Sequence, residues 1–274
     1  LFSSILAKRL STFAEQNHLL PLFQFGFRPK RSTTAAAAML HEIIHSRLEK
    51  GKRTYIAYVD FKQAFDRVNR PLLFQKLSLL GIQPDSVKPL ISSFDRQHSL
   101  FSPATFTPTF HIKIGVPQGD PISPILFNLF ISDLPSALHH NGIWFHGVNV
   151  RYIQYADDLC ILGDTEEDLQ NGLNHLQSYC STNIIEINVA KTKIQIFHRG
   201  RLPACSFHLE DQEIEKVNEF FYLSYTFSVQ FPFLNIQRTL HQKRDQSADN
   251  YLHNYQFRTY HYTSSLSCWT LLSF

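Results

Sequence analysis

Apolar side chains recur at helical spacing through the first twenty residues (Ile5, Leu6, Leu10, Phe13), and the period stops near Pro21. The segment "FQFGFRPKRS" breaks periodicity and reads as a loop or irregular hairpin carrying Arg28, Lys30 and Arg31. "STTAAAAMLHEIIHSRLEKG" then opens on Ser/Thr caps, runs through alanines and closes on Gly51, the clearest helix in the chain. "TYIAYVD", 54–60, is apolar on both faces and rich in β-formers, so it reads as a buried strand. A further helix is expected from Pro71, a favoured first-turn residue, to Gly81. Residues 99–114 read as strands with turns. Ser123 and Pro124 open a helix over "ILFNLFISDL", and "VRYIQYADDLCILG" reads as two short strands around a polar tip.

"TEEDLQNGLNHLQSYC" has Thr165 as cap, Asp168 three residues on, and Leu169, Leu173 and Leu176 along one face. Strands are expected at 184–188, at 193–197 and near 219–227. Beyond about residue 228 no period is legible. His139 and His140 read as exposed helix-end residues without a role. The alternation up to that point predicts an α+β domain with a mainly antiparallel sheet.

Composition narrows this only a little. Of 274 residues, 43% are hydrophobic, and 24 Phe raise the aromatic share to 14%, enough for a sizeable core. A net charge of +3 permits nucleic-acid binding without arguing for it, since such a footprint depends on clustering. Cys160, Cys180, Cys205 and Cys268 lie far apart with no CxxC pair, which fits a reduced protein without a zinc site. The longest apolar run, "PISPILFNLFISDL", is too short to cross a bilayer, and no signal peptide opens the chain. An intracellular place, nuclear or cytoplasmic, is expected. The chain starts at Leu1 and its sole methionine is Met39, inside a helix, so it reads as part of something longer.

The candidate chemistry lies in carboxylates set in apolar strands. Asp60 ends one strand, and Asp157 and Asp158 sit between two others. A buried carboxylate without a partner is expensive. If the three strands are neighbours, Asp60 and Asp157 converge at one sheet edge, where hard divalent cations suit oxygen donors. Two such ions roughly 3.5–4 Å apart serve phosphoryl transfer. Adjacent aspartates in a hairpin are equally ordinary turn formers, and Asp60 alone reads as a strand-end residue. Spacing alone leaves both readings open.

The surrounding words bear on this. "QFGFRPKRST", "DFKQAFDRV", "GVPQGDPISPILFNLFISDL", "YADD" and "INVAKTK" occur in that order. Together they resemble the reverse transcriptase domain of non-long-terminal-repeat (LINE-type) retrotransposons, over roughly residues 5–225, with group II intron enzymes as more distant relatives. The resemblance implies a right-hand polymerase fold: partial fingers over 1–53, a palm over 54–225 with an inserted fingers segment around 71–114, and a truncated or degenerate thumb over 226–274. It implies an RNA-directed DNA polymerase that uses two Mg²⁺ ions, with Mn²⁺ as a substitute, to add deoxynucleoside triphosphates (dNTPs) to a DNA primer on an RNA template. The template is expected to be the element's own RNA, copied at a nicked chromosomal target. A membrane partner is not implied, and oligomeric state stays open.

By the same resemblance Asp60 and Asp157 are metal ligands together with the Phe61 carbonyl, and Asp158 stands close by. Phe65 is the ring under the incoming sugar that selects against a 2′-hydroxyl. Gln118 and Gly119 belong to the loop packed on the nucleotide. Lys191 protonates the leaving pyrophosphate. Arg28 supplies charge towards the triphosphate or template backbone. Each residue also has a plain structural reading: a core Phe, a Pro/Gly turn, a solvated lysine, a basic loop.

The pattern departs from the family in two places. Leu223-Ser224 stands where the family has Leu-Gly, and serine fits there only if the local φ is negative or the turn differs. The helical thumb is not legible. Two other functions therefore compete: a catalytically inactive remnant with residual nucleic-acid binding, and an RNA-templated RNA polymerase, against which Phe65 speaks.

Overall fold

A computed structural model of the chain describes residues 2–82, 101–102, 105–106, 114–201 and 204–229. Its centre is set by the most apolar strand. β1 (Thr54–Val59) is buried at every position, as "TYIAYV" requires when both faces are covered. It pairs antiparallel with β7 (Asp158–Gly163) on one side and with β8 (Lys193–Phe197) on the other. β6 (Tyr152–Tyr155) pairs with β7, completing the order β6-β7-β1-β8.

Helices cover this sheet. α1 (Phe2–Gln16) tucks Ala7 and Ala14 inward. α2 (Thr33–Glu49) is capped by Ser32, whose hydroxyl accepts from the Ala35 nitrogen. α3 (Arg70–Leu79) takes Asn69 as its cap and Pro71 in its first turn. α4 (Ser123–Phe130) packs against α3, followed by the four-residue α5 (Leu134–Ala137). α6 (Glu166–Asn183) lays Leu169, Leu173 and Leu176 on the face carrying Ala57 and Ile161, where Gly172 lets it approach. The opposite face, marked by Tyr58, lies under the hairpin of β11 (Glu219–Tyr222) and β12 (Tyr225–Ser228), with Phe220 stacked on Tyr58 at 4.1 Å.

Several expectations change. Ser123 and Pro124 open α4 as expected, the Ser123 hydroxyl donating to the Pro117 carbonyl at 2.6 Å, but the helix stops at Phe130 and does not run on through "ISDL". Residues 184–188 form no strand, because Ile184 ends α6 in the left-handed region (φ 56°) and only Ile187 bridges, to Phe61. His140 is buried, not exposed, with Nε2 3.0 Å from the Leu162 carbonyl. The capping box at Thr165 is half made. Thr165 accepts from the Asp168 nitrogen, but the Asp168 carboxylate accepts from the nitrogens of Asn141, Gly142 and Asp164. The sequence pattern gave no warning of the hairpin formed by β4 (Ile143–Phe145) and β5 (Val148–Val150), nor of the short pairing of β9 (His208–Leu209) with β10 (Gln212–Glu213). Of the 99–114 region, only the pairing of β2 (Phe101–Ser102) with β3 (Thr105–Phe106) and Ile114, which bridges to Asn69, lie within the described residues. All described residues fall in one unit, Leu1–Arg238; the second, Thr239–Phe274, lies outside them, as does nearly all of the expected thumb. No helix among the described residues is long and apolar enough to cross a membrane.

Candidate active site

The register decides which carboxylates meet. Val59 pairs with Leu159, so one further step along β1 brings Asp60 opposite Asp158, with Asp157 beside it in the turn. The turn is tight. Tyr155 pairs with Asp158, which leaves only Ala156 and Asp157 to reverse the chain, and Ala156 takes φ 56°. An alanine held there costs about 1–2 kcal/mol unless its surroundings impose it.

Buried amides impose it. The Gln24 Oε1 accepts from the nitrogens of both Gly26 (2.7 Å) and Ala156 (2.9 Å), and the Gln154 Nε2 donates to the Ala156 carbonyl at 2.8 Å. The Phe25 nitrogen donates to the Gln154 carbonyl at 2.7 Å and the Gln154 nitrogen to the Phe23 carbonyl at 2.9 Å, so "QFGF" runs parallel to β6 as an added edge. Gly26 is needed for this, because a Cβ there would overlap the Ala156 backbone nitrogen. Asn128, fully buried in α4, donates to the Gly26 carbonyl at 2.7 Å and locks the edge from behind.

Asp157 and Asp158 both sense burial and the Asp60 charge. Loss of hydration pushes the Asp157 carboxyl up; a backbone hydrogen bond opposes this, and the Asp60 charge adds to it. Asp158 keeps solvent-accessible surface, yet crowding by protein atoms, then the charges of Asp157 and Asp60, lift it to about 6. Like charges this close are disfavoured without a cation between them, and hard oxygen donors select a divalent one. That chemistry fits a metal. Among the described residues no group of three or more His, Cys, Asp or Glu side chains is arranged to hold an ion. The set expected here, two carboxylates and a backbone carbonyl, is smaller than such a group.

The Phe61 carbonyl has a defined direction. Lys62 donates to the Glu186 carbonyl and Asn188 donates to the Asp60 carbonyl, each at 2.8 Å, which makes Phe61 and Ile187 a non-hydrogen-bonded pair. In such a pair the residue's own N–H and C=O turn away from the partner. The Phe61 carbonyl therefore faces the side of β7, where the Asp157–Asp158 tip stands.

The same contacts bring in Lys191. Its segment is stapled to Asp60 twice, through the Asn188 nitrogen and through the Thr192 hydroxyl, which accepts from the Asp60 nitrogen at 3.3 Å. Lys191 itself is exposed, and its backbone nitrogen turns back onto the Asn188 carbonyl.

Phe65 and Gln118 are joined through one short segment. Phe65 is half-buried and stacks on Phe127 of α4, centroids 4.6 Å apart. Its carbonyl accepts from the Val116 nitrogen at 2.8 Å, holding "GVPQG" against it. Gln118 is exposed and donates from Nε2 to the Asp66 carboxylate at 2.9 Å, while Gly119 turns at φ 83°. A carboxylate only accepts, so the Gln118 amide has to turn its nitrogen to Asp66 and its oxygen away.

Arg28 does not fit its expected place. Its side chain is 8% exposed, and the guanidinium forms a two-point pair with Glu15 (2.8 and 2.7 Å) and donates to the carbonyls of Pro21 and Gln24. The cation braces α1 against the "QFGF" edge, and its charge is spent on Glu15. Ser224 also departs from expectation: Leu223 and Ser224 both lie in the left-handed region, at φ 50° and 71°. This is the two-residue hairpin turn that glycine favours, occupied by serine. The hairpin nonetheless reaches the site, with the Tyr222 hydroxyl 3.4 Å from the Asp158 carbonyl. Gln24, Asn128, Gln154 and Tyr222 had no signal of their own in the sequence, because buried amides and hydroxyls look like any other polar positions until their partners are known.

Comparison with known proteins now has a geometry to meet. Residues 1–227 match the family described as reverse transcriptase (RNA-dependent DNA polymerase). An RNA-directed DNA polymerase from mobile element jockey of Drosophila funebris is 31% identical over 68% of this chain and 21% of its own length. A retrovirus-related Pol polyprotein from the type-1 retrotransposable element R2 of Popillia japonica is 29% identical over 72% of this chain and 34% of its own. The chain thus spans about a fifth to a third of these relatives. A telomerase from Candida albicans, solved in complex with a fragment of telomeric RNA, shares the fold at a TM-score of 0.50 and 13% identity, covering 94% of this chain and 41% of that one. The chain belongs to the reverse transcriptase (RNA-dependent DNA polymerase) family.

Proposed function

We propose that this chain carries the catalytic centre of an RNA-directed DNA polymerase that adds dNTPs to a primer 3′-hydroxyl on an RNA template. One observation carries the reading: β1 and the β6–β7 turn pair so that Asp60 and the Asp157–Asp158 tip share a corner. In this reading residues 54–225 are the palm, with fingers before them and in the 71–114 segment, and the β11–β12 hairpin guides the primer. Asp60, Asp157 and the Phe61 carbonyl hold two Mg²⁺ ions. When bound, such ions supply Lewis acidity to the triphosphate and lower the pKa of the attacking hydroxyl.

The protein groups do the rest. Asp158 stands behind Asp157 and raises the local demand for positive charge. Phe65, fixed by Phe127, presents an edge to the sugar and excludes a 2′-hydroxyl. Gln118, its amide set by Asp66, turns an acceptor oxygen outward for a sugar hydroxyl. Lys191, on a turn tied to Asp60, gives its proton to the departing pyrophosphate.

The test is extension of a labelled primer on a homopolymer RNA template. Incorporation that needs Mg²⁺ and falls by at least about a thousandfold in Asp157→Asn is expected, since the step rests on charge placed at the reacting atoms. A second reading, an inactive remnant that retains nucleic-acid binding, draws on Ser224 in its left-handed turn beside Asp158. Template–primer binding with no incorporation would favour it.

A further inference from the structure

The "QFGF" edge places an unusual side chain at the catalytic tip. Phe27 follows Gly26, whose backbone lies against Ala156, so Phe27 emerges where β6 turns towards Asp157. It is 52% exposed, takes φ 56°, and its ring lies 6.0 Å from that of Tyr155 at 47°. A bulky aromatic in the left-handed region is an outlier, and such strain gathers at functional sites. Burial gives no compensation here, because half of the ring's surface faces solvent. Gln24, Gly26 and Asn128 nevertheless lock the backbone that aims it.

We infer that Phe27, backed by Tyr155, is a stacking post for an unpaired base of the single-stranded template entering the site. The inference rests on the polymerase reading for the kind of strand involved. The chemistry selects an unpaired base, because a base inside a duplex already has both faces covered, whereas a single-stranded base can be splayed onto an aromatic ring. Stacking is also tolerant of sequence, as copying any template requires. Lys30 is exposed three residues on, and Arg31 lies one further with its guanidinium 5.2 Å from the Phe25 ring, so the segment that carries Phe27 also carries cations of the kind that bind a phosphate backbone. A paired base contacted through the minor groove is the outcome that would exclude this.

The experiment titrates the full 274-residue chain against a primer–template with a short overhang and against the same duplex made blunt, with 2-aminopurine placed in turn at overhang and paired positions. Expected are tighter binding of the overhang duplex and a fluorescence change at one overhang position. Phe27→Asn should weaken overhang binding about tenfold and erase that change, with blunt-duplex affinity unmoved. Asn accepts a positive φ more readily than Phe, so its melting temperature should hold. If it falls, Phe27→Trp carries the comparison, since that variant should keep both the preference and the signal. Equal overhang preference in wild type and Phe27→Asn, loss of it in Phe27→Trp, or a signal confined to paired bases, overturns the inference. Primer extension is read separately. Stacking without extension would fail the polymerase reading and leave this one standing.

Discussion

Phe65 and Ser224 show how a single side chain can be read against its partners. Phe65 packs half-buried against the core, propped by Phe127, and its backbone holds the "GVPQG" loop. Phe65→Ala should therefore raise ribonucleotide relative to deoxynucleotide incorporation by about tenfold or more, the scale of a lost steric exclusion. Unchanged sugar selectivity would remove the gate assignment and leave Phe65 as a packing residue. Ser224 sits at φ 71°, so Ser224→Gly should stabilise the fold by about 1 kcal/mol, read as a higher melting temperature. A lower one would mean that the serine hydroxyl makes up for the strain. That Asp60 would meet Asp157 and Asp158 was legible from the apolar strands around them, and β1, β7 and β6 are indeed neighbours. The fate of Arg28 was not. Sequence shows a cation in a matched motif, and only the fold shows Glu15 thirteen residues earlier closing on it.

Elements were legible where periodicity was strong. α2, β1, α6 and the β6–β7 hairpin sit where their caps and apolar patterns put them, because a sustained apolar run or stripe decided each. Short elements escaped. The Ile143–Phe145 hairpin has three-residue arms, too few for alternation to register, and residues 184–188 looked strand-like by composition but follow a left-handed helix stop. Asp168 illustrates the same point with a consequence. Read as a weak capping residue, it instead fastens the N-terminus of α6 to Asn141, Gly142 and Asp164 by three backbone N–H groups. Asp168→Ala strands all three and should cost about 3 kcal/mol in denaturant unfolding. A change below about 0.5 kcal/mol would show that water replaces the carboxylate freely.

Taken together, the chain builds the proposed catalytic corner from pieces far apart in sequence. The "QFGF" edge, the end of β1, the β6–β7 turn and the Lys191 turn are held by buried amides and backbone bonds, and α4 braces the whole from behind. Such a corner exists only if all of these pack at once, so function and stability should fail together when Gln24 or Asn128 is lost, and separately when Asp157 is changed. Family membership fixes the kind of fold, and the local geometry argues for what the corner does. The most direct measurement replaces Mg²⁺ with Fe²⁺ and uses ascorbate-driven radical cleavage to map which backbone lies beside the ion. The account predicts paired cuts near residues 60–61 and 156–158, both suppressed by excess Mg²⁺ and both lost in Asp157→Asn. Cuts at only one of these segments, or elsewhere in the chain, would contradict it.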